Sequence, residues 1–458
     1  MSGTTLFTLL ESAAASAGDA PAVIARGRAT SFAEFRANVA ARASRLLGHL
    51  ERPGAVAILA RDGEHLLEAF FACAAIGRPA MPLDPDLPPG GLDRLRARYP
   101  IAAVLNDADA PEIGTPRPLP PVEDSVEFYW GLTSGTTGEP KLFARSHASW
   151  IASFEAAESV FPFPPRSRVL IPGPLHQSLF LYGAVHALCR GHAVLVPGPQ
   201  FRTSRLADAI ASATHLYAVP FMLAEMADAE LPAPNLRTIF CGGAKLPGAL
   251  RQRCERIWPA DLVEFYGASE TSFVSFHSTS RPANDGSVGW PFPGVGVEMR
   301  GREGQIFIAS PMLFSRYVGE PLAGPSVSVG DTGFLDEQGA LHLTGRINRI
   351  INSKALKLRP EAIEAALLEL PEIHRAAVVE MPDATRGSVA AAAIEFIAGV
   401  HLPRKSLSAH CRMKLGAKYA PSLYYAADRL PLTRSGKLAV ADIRAALLSG
   451  DPAFRPLQ

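Results

Sequence analysis

Cysteine is scarce in this sequence: its 458 residues include five cysteines, which lie far apart and never in a C-x-x-C arrangement. An odd number of dispersed cysteines argues against a disulfide framework and against a structural zinc site. We therefore expect reduced thiols that lie mostly in the hydrophobic core.

An excess of charge is also missing, because 45 lysines and arginines balance 44 aspartates and glutamates to a formal net charge of +1. This balance gives no global electrostatic reason to bind nucleic acid or an acidic membrane. The most apolar stretch, residues 179–196, is interrupted by His186, Arg190 and His192, whereas a spanning helix needs about 20 mostly apolar residues. The first residues lack the basic n-region of a secretory signal. We expect a cytoplasmic protein with no membrane span and no nucleic-acid partner.

The chain is longer than a single hydrophobic core supports, so we expect two or more domains. Along most of the first 275 residues, short apolar runs alternate with amphipathic segments. Examples are a predicted helix over 32–50, a strand over 55–60, a helix over 65–76 and an apolar turn over 79–83. Such alternation predicts an α/β architecture with layers of parallel sheet covered by helices.

Other parts of the chain differ in composition and in hydrophobic periodicity. Residues 107–125 are rich in proline and have no periodicity, which predicts a surface connector. From about residue 285, short strands alternate with Gly/Pro turns and predict a small β-rich subdomain. The last 110 or so residues predict a compact α+β unit, with helices over 360–370, around 407–415, and from residue 439.

A segment rich in Gly, Ser and Thr, residues 133–141 (TSGTTGEPK), follows a predicted strand and ends in Lys141. Small residues let backbone N–H groups surround phosphate oxygens, hydroxyls add donors, and a lysine adds positive charge. The segment does not fit the G-x-x-x-x-G-K-[ST] pattern of a Walker A loop. On composition alone, a phosphate-binding loop and a polar glycine-rich turn are equally good interpretations.

TSGTTGEPK resembles the signature of the adenylate-forming superfamily, which contains acyl-CoA synthetases, adenylation domains of peptide synthetases, and luciferases. Further motifs of that superfamily occur in order along nearly the whole chain. They are GRPAMPLDP (77–85), PGPLHQS (172–178), CGGAKLP (241–247), YGASET (266–271), GQIFIAS with SRY (304–317), VGDTG (329–333), GRINRI (345–350) and PLTRSGKL (431–438).

The resemblance implies an α/β fold with a large N-terminal adenylate-forming domain over residues 1–346, which includes the β-rich subdomain. It also implies a small mobile α+β lid domain over residues 347–458. The implied activity is that of an ATP-dependent carboxylic acid ligase, which forms an acyl-adenylate and pyrophosphate and then passes the acyl group to a thiol. The adenylate supplies the good leaving group that a free carboxylate lacks, and lid closure would exclude water from it.

The superfamily's nucleotide contacts transfer position by position to this sequence. The loop 133–141 would cover the β- and γ-phosphates, and residues 242–244 would flank the adenine, where glycine permits close approach. Asp331, with Arg346 beside it, resembles the acceptor of the ribose hydroxyls. The implied ATP- and AMP-binding residues are Thr133, Ser134, Gly135, Thr136, Thr137, Gly138, Lys141, Gly242, Gly243, Ala244, Tyr266, Gly267, Thr271, Asp331 and Arg346.

Two further residues match the superfamily's catalytic positions. Lys437 resembles the lysine that neutralises charge between the attacking carboxylate and the α-phosphate. Glu270 resembles the carboxylate that holds Mg²⁺, a hard cation that prefers oxygen ligands. The resemblance therefore implies Mg²⁺ as cofactor, with Glu270 as its ligand, and ATP as co-substrate.

The substrate acid is constrained in part. Amino-acid-activating members have an aspartate near the PLHQS motif to pair with the substrate's ammonium group, whereas this chain has His176 there. An α-amino acid is therefore disfavoured, because no buried carboxylate would offset its charge. His176, Ser178 and Phe180 are the predicted lining of the acid pocket, and a merely packed histidine is the alternative for His176.

Two positions depart from the superfamily pattern. Asn348 replaces the usual aspartate or lysine of the hinge, and Ala355 replaces a glycine that lines the pantetheine tunnel. Asparagine tolerates unusual backbone angles, so the hinge is expected to work. The added methyl group of Ala355 brings the second half-reaction into question more than the first.

Three functions follow from this reading. Coenzyme A is the leading acceptor, and a phosphopantetheinyl acyl or peptidyl carrier protein is the alternative, consistent with the altered tunnel position. A nucleotide- or acyl-binding protein without turnover is the third, which the intact Lys437, Glu270 and Asp331 disfavour.

Overall fold

The computed structural model describes residues 3–109, 117–133, 141–161, 163–284, 286–353, 356–383, 385, 387–433 and 438–458. Contacts divide the chain into two compact units. Unit 1 comprises Met1–Val297 and Ile308–Val327, and unit 2 comprises Glu298–Phe307 and Ser328–Gln458.

Side-chain caps fix the starts of several helices. At the second helix, the Ser31 hydroxyl accepts from the Glu34 amide and the Glu34 carboxylate accepts from the Ser31 amide, a capping box. None of the helices in the described ranges is long and apolar enough to cross a bilayer. The α-helices there are α1 (Leu6–Ala17), α2 (Phe32–His49), α3 (Gly63–Ala75), α4 (Gly91–Arg98), α5 (His147–Val160), α6 (Ser178–Cys189), α7 (Ala207–Ser212), α8 (Pro220–Asp228), α9 (Gly248–Ile257), α10 (Pro360–Leu368), α11 (Arg404–Leu415) and α12 (Val440–Ser449).

Short strands connect these helices. In chain order they are β1 (Pro21–Ala25), β2 (Arg28–Ser31), β3 (Ala55–Ile58), β4 (Ala80–Pro82), β5 (Ile101–Leu105), β6 (Glu127–Thr133), β7 (Lys141–Ser146), β8 (Arg168–Leu170), β9 (Ala193–Val196), β10 (His215–Ala218), β11 (Thr238–Cys241), β12 (Asp261–Ala268), β13 (Ser272–His277), β14 (Trp290–Pro291), β15 (Gly296–Arg300), β16 (Gln305–Ala309), β17 (Arg316–Tyr317), β18 (Asp331–Leu335), β19 (Leu341–Arg346), β20 (Ile351–Ser353), β21 (Leu356–Leu358), β22 (Ile373–Asp383), β23 (Gly387–Phe396), β24 (Leu423–Ala427) and β25 (Arg455–Pro456).

Unit 1 contains a six-stranded sheet of order β17-β7-β6-β4-β3-β5, in which β3 to β6 run parallel to one another and β7 pairs antiparallel with both of its neighbours, β6 and β17. The predicted apolar turn over 79–83 was wrong, because Ala80–Pro82 form the fully buried strand β4 between β3 and β6. The prolines at 79 and 82 suggested a turn, yet the Pro79 carbonyl accepts from the Val56 amide at 2.8 Å.

A nine-stranded sheet of order β14-β13-β12-β11-β10-β8-β9-β1-β2 completes unit 1. Its strands β1 and β8 to β12 run parallel to one another. Antiparallel pairs form at its two edges, where β2 pairs with β1, β13 with β12, and β14 with β13. The carboxyl ends of β10, β11 and β12 therefore meet at one edge, where ligands of open α/β sheets usually bind.

Buried aromatic side chains dominate the core of unit 1. The Phe70 ring contacts the rings of Phe71, Phe128, Tyr129 and Trp150 at centroid distances of 5.6–6.4 Å. All five cysteines are free and buried, as predicted. Burial raises the pKa of the Cys73 thiol to about 12, which suits a packing residue and not a nucleophile.

Unit 2 contains the smaller sheets, of order β15-β16-β18-β19, β20-β21 and β22-β23-β24-β25. The β-rich segment predicted as part of the large domain thus packs largely with the C-terminal residues. Arg359 shows why, because its guanidinium donates to the hydroxyls of Thr332 and Thr344 at 2.8 and 2.9 Å and to Glu303 at 3.2 Å. A mobile lid that begins after Arg346 stays a prediction.

Candidate active site

The predicted phosphate segment joins two antiparallel strands. Thr133 ends β6 and lies opposite Lys141, the first residue of β7; the Thr133 hydroxyl donates to the Lys141 carbonyl at 3.4 Å. The strand pair thus holds both ends of the segment in place. The other predicted loop residues lie outside the described residues: Ser134, Gly135, Thr136, Thr137 and Gly138.

The Lys141 ammonium group lies at the surface, 3.2 Å from a Glu320 carboxylate oxygen and 4.8 Å from the centroid of the Tyr317 ring. The lysine and glutamate side chains are 40% and 52% exposed. Because exposed ion pairs contribute only about 0–1 kcal/mol, a phosphate could replace Glu320 as the partner of Lys141 at little cost.

Glu270 is a buried carboxylate in the turn between β12 and β13, 8% exposed. The Tyr317 hydroxyl donates to its Oε1 at 3.0 Å, and the Phe314 amide donates to its backbone carbonyl at 2.7 Å. Burial, with the Glu270 charge next, raises the pKa of Tyr317 above its usual range, so its hydroxyl stays a donor. The structure therefore brings Lys141, Tyr317 and Glu270 together.

Thr271 follows Glu270 and is also buried. Its hydroxyl accepts from the Ala268 amide at 3.1 Å, and its own amide donates to the Ala268 carbonyl at 3.2 Å. Glycine is required at 267, because a Cβ atom there would lie 2.0 Å from the Ser272 carbonyl oxygen. This tight turn presents the Glu270 and Thr271 side chains next to each other.

The predicted adenine-binding residues follow β11 at the same sheet edge. A Cβ atom at Gly242 would lie 2.5 Å from the Phe265 ring, and Gly243 has a φ of +82°, a conformation that favours glycine. Tyr266 lies on the neighbouring strand β12. Glycine at 242 therefore lets the Phe265 ring pack against the backbone, and adenine binding by residues 242–244 and Tyr266 stays a prediction.

The predicted acid-pocket residues have different surroundings in the structure. Ser178 begins α6; its hydroxyl lies 3.1 Å from the Tyr129 hydroxyl and 3.1 Å from that of Ser269, which donates to it. Ser178 is therefore beside the Glu270 turn. Phe180 is fully buried, in the space that a side chain at Gly173 would need.

His176 lines a cleft at the carboxyl ends of β3, β4, β8 and β9. Arg61, Asp84 and Gln200 also line this cleft. A histidine at the wall of a cleft is compatible with the predicted role of lining a ligand pocket. That role stays a prediction, as does the role of Phe180.

The predicted ribose-binding residues lie in unit 2. Asp331 and Arg346 face each other across β18 and β19, and the Arg346 Nε donates to Asp331 Oδ1 at 2.8 Å. Asp331 is buried, whereas the Arg346 side chain is 46% exposed. Asn348 follows in a short 3₁₀ turn. Lys437 and Ala355 lie outside the described residues.

Sequence reasoning did not assign Tyr317 or Arg145, although both bear on Glu270. Tyr317 was visible in the SRY motif, but nothing in the sequence pointed to its carboxylate partner. Arg145 is a lone charge within the strand KLFARS. A charged residue is rarely buried without partners. An arginine within a largely apolar strand was therefore the signal from which a buried, hydrogen-bonded guanidinium could have been predicted.

The side chains of this site could hold Mg²⁺ only if the phosphate oxygens of a nucleotide supplied further ligands. Within the described ranges, no three His, Cys, Asp or Glu side chains group so that they could hold a metal ion. Mg²⁺ usually takes one or two carboxylates plus phosphate oxygens and water. A single buried glutamate beside a lysine, a threonine and bare glycine backbone matches that requirement.

The fold and this site together define a nucleotide-dependent α/β enzyme. Residues 10–318 match the family model described as AMP-binding enzyme, and residues 362–437 match its C-terminal domain. The chain belongs to the AMP-binding enzyme family.

Named relatives agree with this assignment. The uncharacterized acyl–CoA ligase YhfT of Bacillus subtilis is 33% identical over 86% of this chain and 88% of its own length. MenE, the o-succinylbenzoate coenzyme A synthetase of Bacillus subtilis solved with ATP and magnesium ion, has a TM-score of 0.84, 22% identity, and coverage of 95% of this chain and 99% of its own.

The amide bond synthetase McbA of Marinactinospora thermotolerans has a TM-score of 0.83, 25% identity, and coverage of 96% and 99%. The predicted class, an AMP-forming acid–thiol ligase of α/β fold with a large and a small domain, is confirmed.

Proposed function

We propose that this chain activates a carboxylic acid with MgATP as an acyl-adenylate, releases pyrophosphate, and transfers the acyl group to the thiol of coenzyme A. The observation that carries the proposal is the buried Glu270 carboxylate, which the Tyr317 hydroxyl orients while the Tyr317 ring contacts the Lys141 ammonium group. We propose the cytoplasm as the site of this reaction.

In the first step a carboxylate oxygen of the acid attacks the α-phosphorus, and the bond to the leaving pyrophosphate breaks. Glu270 would hold Mg²⁺, which when bound neutralises charge on the phosphate oxygens. Lys141 would balance the charge of the leaving phosphates, and the Thr271 hydroxyl would donate to the α-phosphate. Lys437 would stabilise the charge on the phosphorus as the new bond forms.

In unit 2, Asp331 would accept hydrogen bonds from the ribose hydroxyls, and the hydrogen bond from Arg346 would keep its carboxylate aligned. In the second step the thiol sulfur attacks the acyl carbon, the bond to AMP breaks, and the thiol proton passes to solvent. A carrier-protein phosphopantetheine offers the same thiol, and the alanine at 355 is the feature that favours it as the alternative acceptor.

The experiment is an acid-dependent pyrophosphate-release screen with short, medium, long and aromatic acids. The acyl-adenylate formed is then offered to free coenzyme A, to a holo-carrier protein, or to an amine, the last because a solved relative is an amide bond synthetase. Release of pyrophosphate with every acid no faster than without acid would refute the proposal. A product with the carrier protein alone would establish the alternative.

A further inference from the structure

We propose that Arg145 is a positioning residue for adenylation, whose buried guanidinium ties together the two chain segments that hold the Glu270 carboxylate. The inference rests on the proposed function, in which Glu270 holds Mg²⁺. Arg145 lies on β7, four residues after Lys141, and is 2% exposed.

Four hydrogen bonds define the position of the guanidinium. One Nη donates to the Ser269 carbonyl at 3.0 Å, and the other donates to the carbonyls of Met312 and Ser149 at 2.9 and 3.3 Å. The Nε donates to the Ser149 hydroxyl at 3.1 Å. A planar fork with fixed donors can hold several carbonyls in one geometry, whereas a lysine cannot.

The two distant carbonyls belong to the segments that carry Glu270. Ser269 immediately precedes Glu270 in the turn after β12. Met312 begins the segment 312–317, in which the Phe314 amide donates to the Glu270 carbonyl and the Tyr317 hydroxyl donates to its carboxylate. The same segment pairs with β7 through Tyr317 and Phe143. Arg145 therefore links the backbone of Glu270 to the segment that orients its side chain.

Stability alone does not explain a cation at this position. All four acceptors are uncharged oxygens, so the guanidinium has no carboxylate as a hydrogen-bond acceptor, although the Glu270 charge is near enough to oppose the lowering of the Arg145 pKa. Burial lowers the pKa of Arg145 to about 10, and the side chain stays charged at neutral pH. Since apolar replacements of buried charges are often neutral or stabilising, an arginine here indicates a need for its geometry.

A less rigid Glu270 turn should lower the rate of adenylation. A misplacement of about 1 Å at a catalytic site can cost about 10²-fold in rate. The guanidinium donates to Ser149, Ser269 and Met312 and not to the side chains proposed to bind phosphate. Loss of Arg145 should therefore reduce the adenylation rate by misplacing Glu270, and it should change the response of that rate to Mg²⁺.

The experiment compares Arg145→Met, Arg145→Lys and a Ser149→Ala control, which removes one acceptor of the guanidinium and leaves the bonds to Ser269 and Met312. Two readouts are taken: pyrophosphate release against Mg²⁺ concentration, and the rise in melting temperature caused by ATP with Mg²⁺ or with EDTA. The second readout measures binding without turnover.

We expect Arg145→Met to lose about 10²-fold in adenylation, to need more Mg²⁺, and to lose the magnesium-dependent part of the thermal shift. Arg145→Lys, which keeps the charge but not the planar fork of donors, should lose the same thermal shift, while Ser149→Ala should stay near wild type. Equal losses in Ser149→Ala, or a wild-type magnesium response in Arg145→Lys, would overturn the inference. A wild-type chain that releases no pyrophosphate would instead refute the proposed function, and the thermal shift would still test Arg145.

Discussion

The two units hold their candidate carboxylates in different ways. In unit 1, Glu270 receives its side-chain hydrogen bond from the neutral Tyr317 hydroxyl. In unit 2, Asp331 receives one from the charged guanidinium of Arg346. Both carboxylates are buried, so the difference lies in the charge of the partner.

That difference suits the two proposed ligands. A carboxylate held by a neutral donor keeps its negative charge available to a cation, as a magnesium ligand must. A carboxylate paired with arginine is largely neutralised, which suits acceptance of hydrogen bonds from neutral ribose hydroxyls. Under the proposed function, carboxylates of similar burial would perform two different tasks because their hydrogen-bond donors differ.

The largest effect is expected from Lys437, which lies within the sequence range of unit 2 but outside the described residues. Lys437→Ala should slow adenylation by about 10³-fold, because a charge that stabilises the transition state is lost. A preformed acyl-adenylate should still react with the thiol acceptor. Single-turnover measurements of each half-reaction test this, with the exposed Lys405→Ala on α11 as control. Equal loss in both half-reactions would contradict the role.

Glu270 comes next, because the comparison above requires its charge. Glu270→Gln keeps the shape and the hydrogen bond from Tyr317 but removes the charge, so adenylation should fall by about 10²-fold and respond less to added Mg²⁺. Glu320→Gln, which removes an exposed acid near Lys141, is the matched control and should change the rate little. An unaltered magnesium dependence in Glu270→Gln would refute the metal role.

Much of this architecture could be predicted from sequence where periodicity is strong. The helices predicted over 32–50 and 360–370 are α2 and α10, within two residues at each end. Strand β4 (Ala80–Pro82) was missed because two prolines at 79 and 82 are typical of a turn, while the buried sheet position that overrides them depends on tertiary pairing.

The candidate site was predicted only as far as its motifs reach. Glu270 and Asp331 stand in recognisable motifs, and the structure gives each a defined partner. Arg145 and Tyr317 were not assigned, because the acceptors that connect them to the site, the Ser269 carbonyl and the Glu270 carboxylate, lie more than 40 residues away in sequence and only the fold brings them together. Patterns of neighbouring residues in the sequence do not indicate contacts between residues so far apart.

Unit 1 also contains buried histidines whose pKa values are lowered. In unit 1, burial lowers the pKa of His147 and His215 to about 3, and burial with the neighbouring His186 lowers that of His192 to about 4. Their neutral forms are favoured in the folded state, so this stability is complete above pH 6.5 and is lost as pH falls toward 4. The loss is about 1.4 kcal/mol per pH unit for each histidine.

Urea midpoints at pH 7 and pH 5 test this expectation, together with hydrogen exchange resolved by unit. The midpoint should fall at pH 5, with protection lost first in unit 1. A His192→Phe, His215→Phe double variant should show a smaller dependence on pH than the wild type. The same dependence in both proteins would show that these histidines do not set it.

The smallest effect is expected at Ala355, where the chain departs from the superfamily pattern. The usual glycine lets a thin pantetheine arm pass close to the backbone, and one methyl group can obstruct a tight tunnel. Thioester formation with free coenzyme A should therefore be the slower half-reaction. Ala355→Gly should raise its rate by a few fold, roughly the effect of one methylene, and leave pyrophosphate release nearly unchanged.

The competing account of Ala355 is that its loop lies away from the tunnel. Lys357 supplies a reason within unit 2, because its ammonium group lies 2.5 Å from the Glu303 carboxylate and holds the strand that follows Ala355. Single-turnover kinetics with isolated acyl-adenylate decide between the accounts, with Lys357→Ala as a control for loop position. An unchanged thioester rate in Ala355→Gly, together with a changed one in Lys357→Ala, would assign control of the acceptor step to the loop and not to the methyl group.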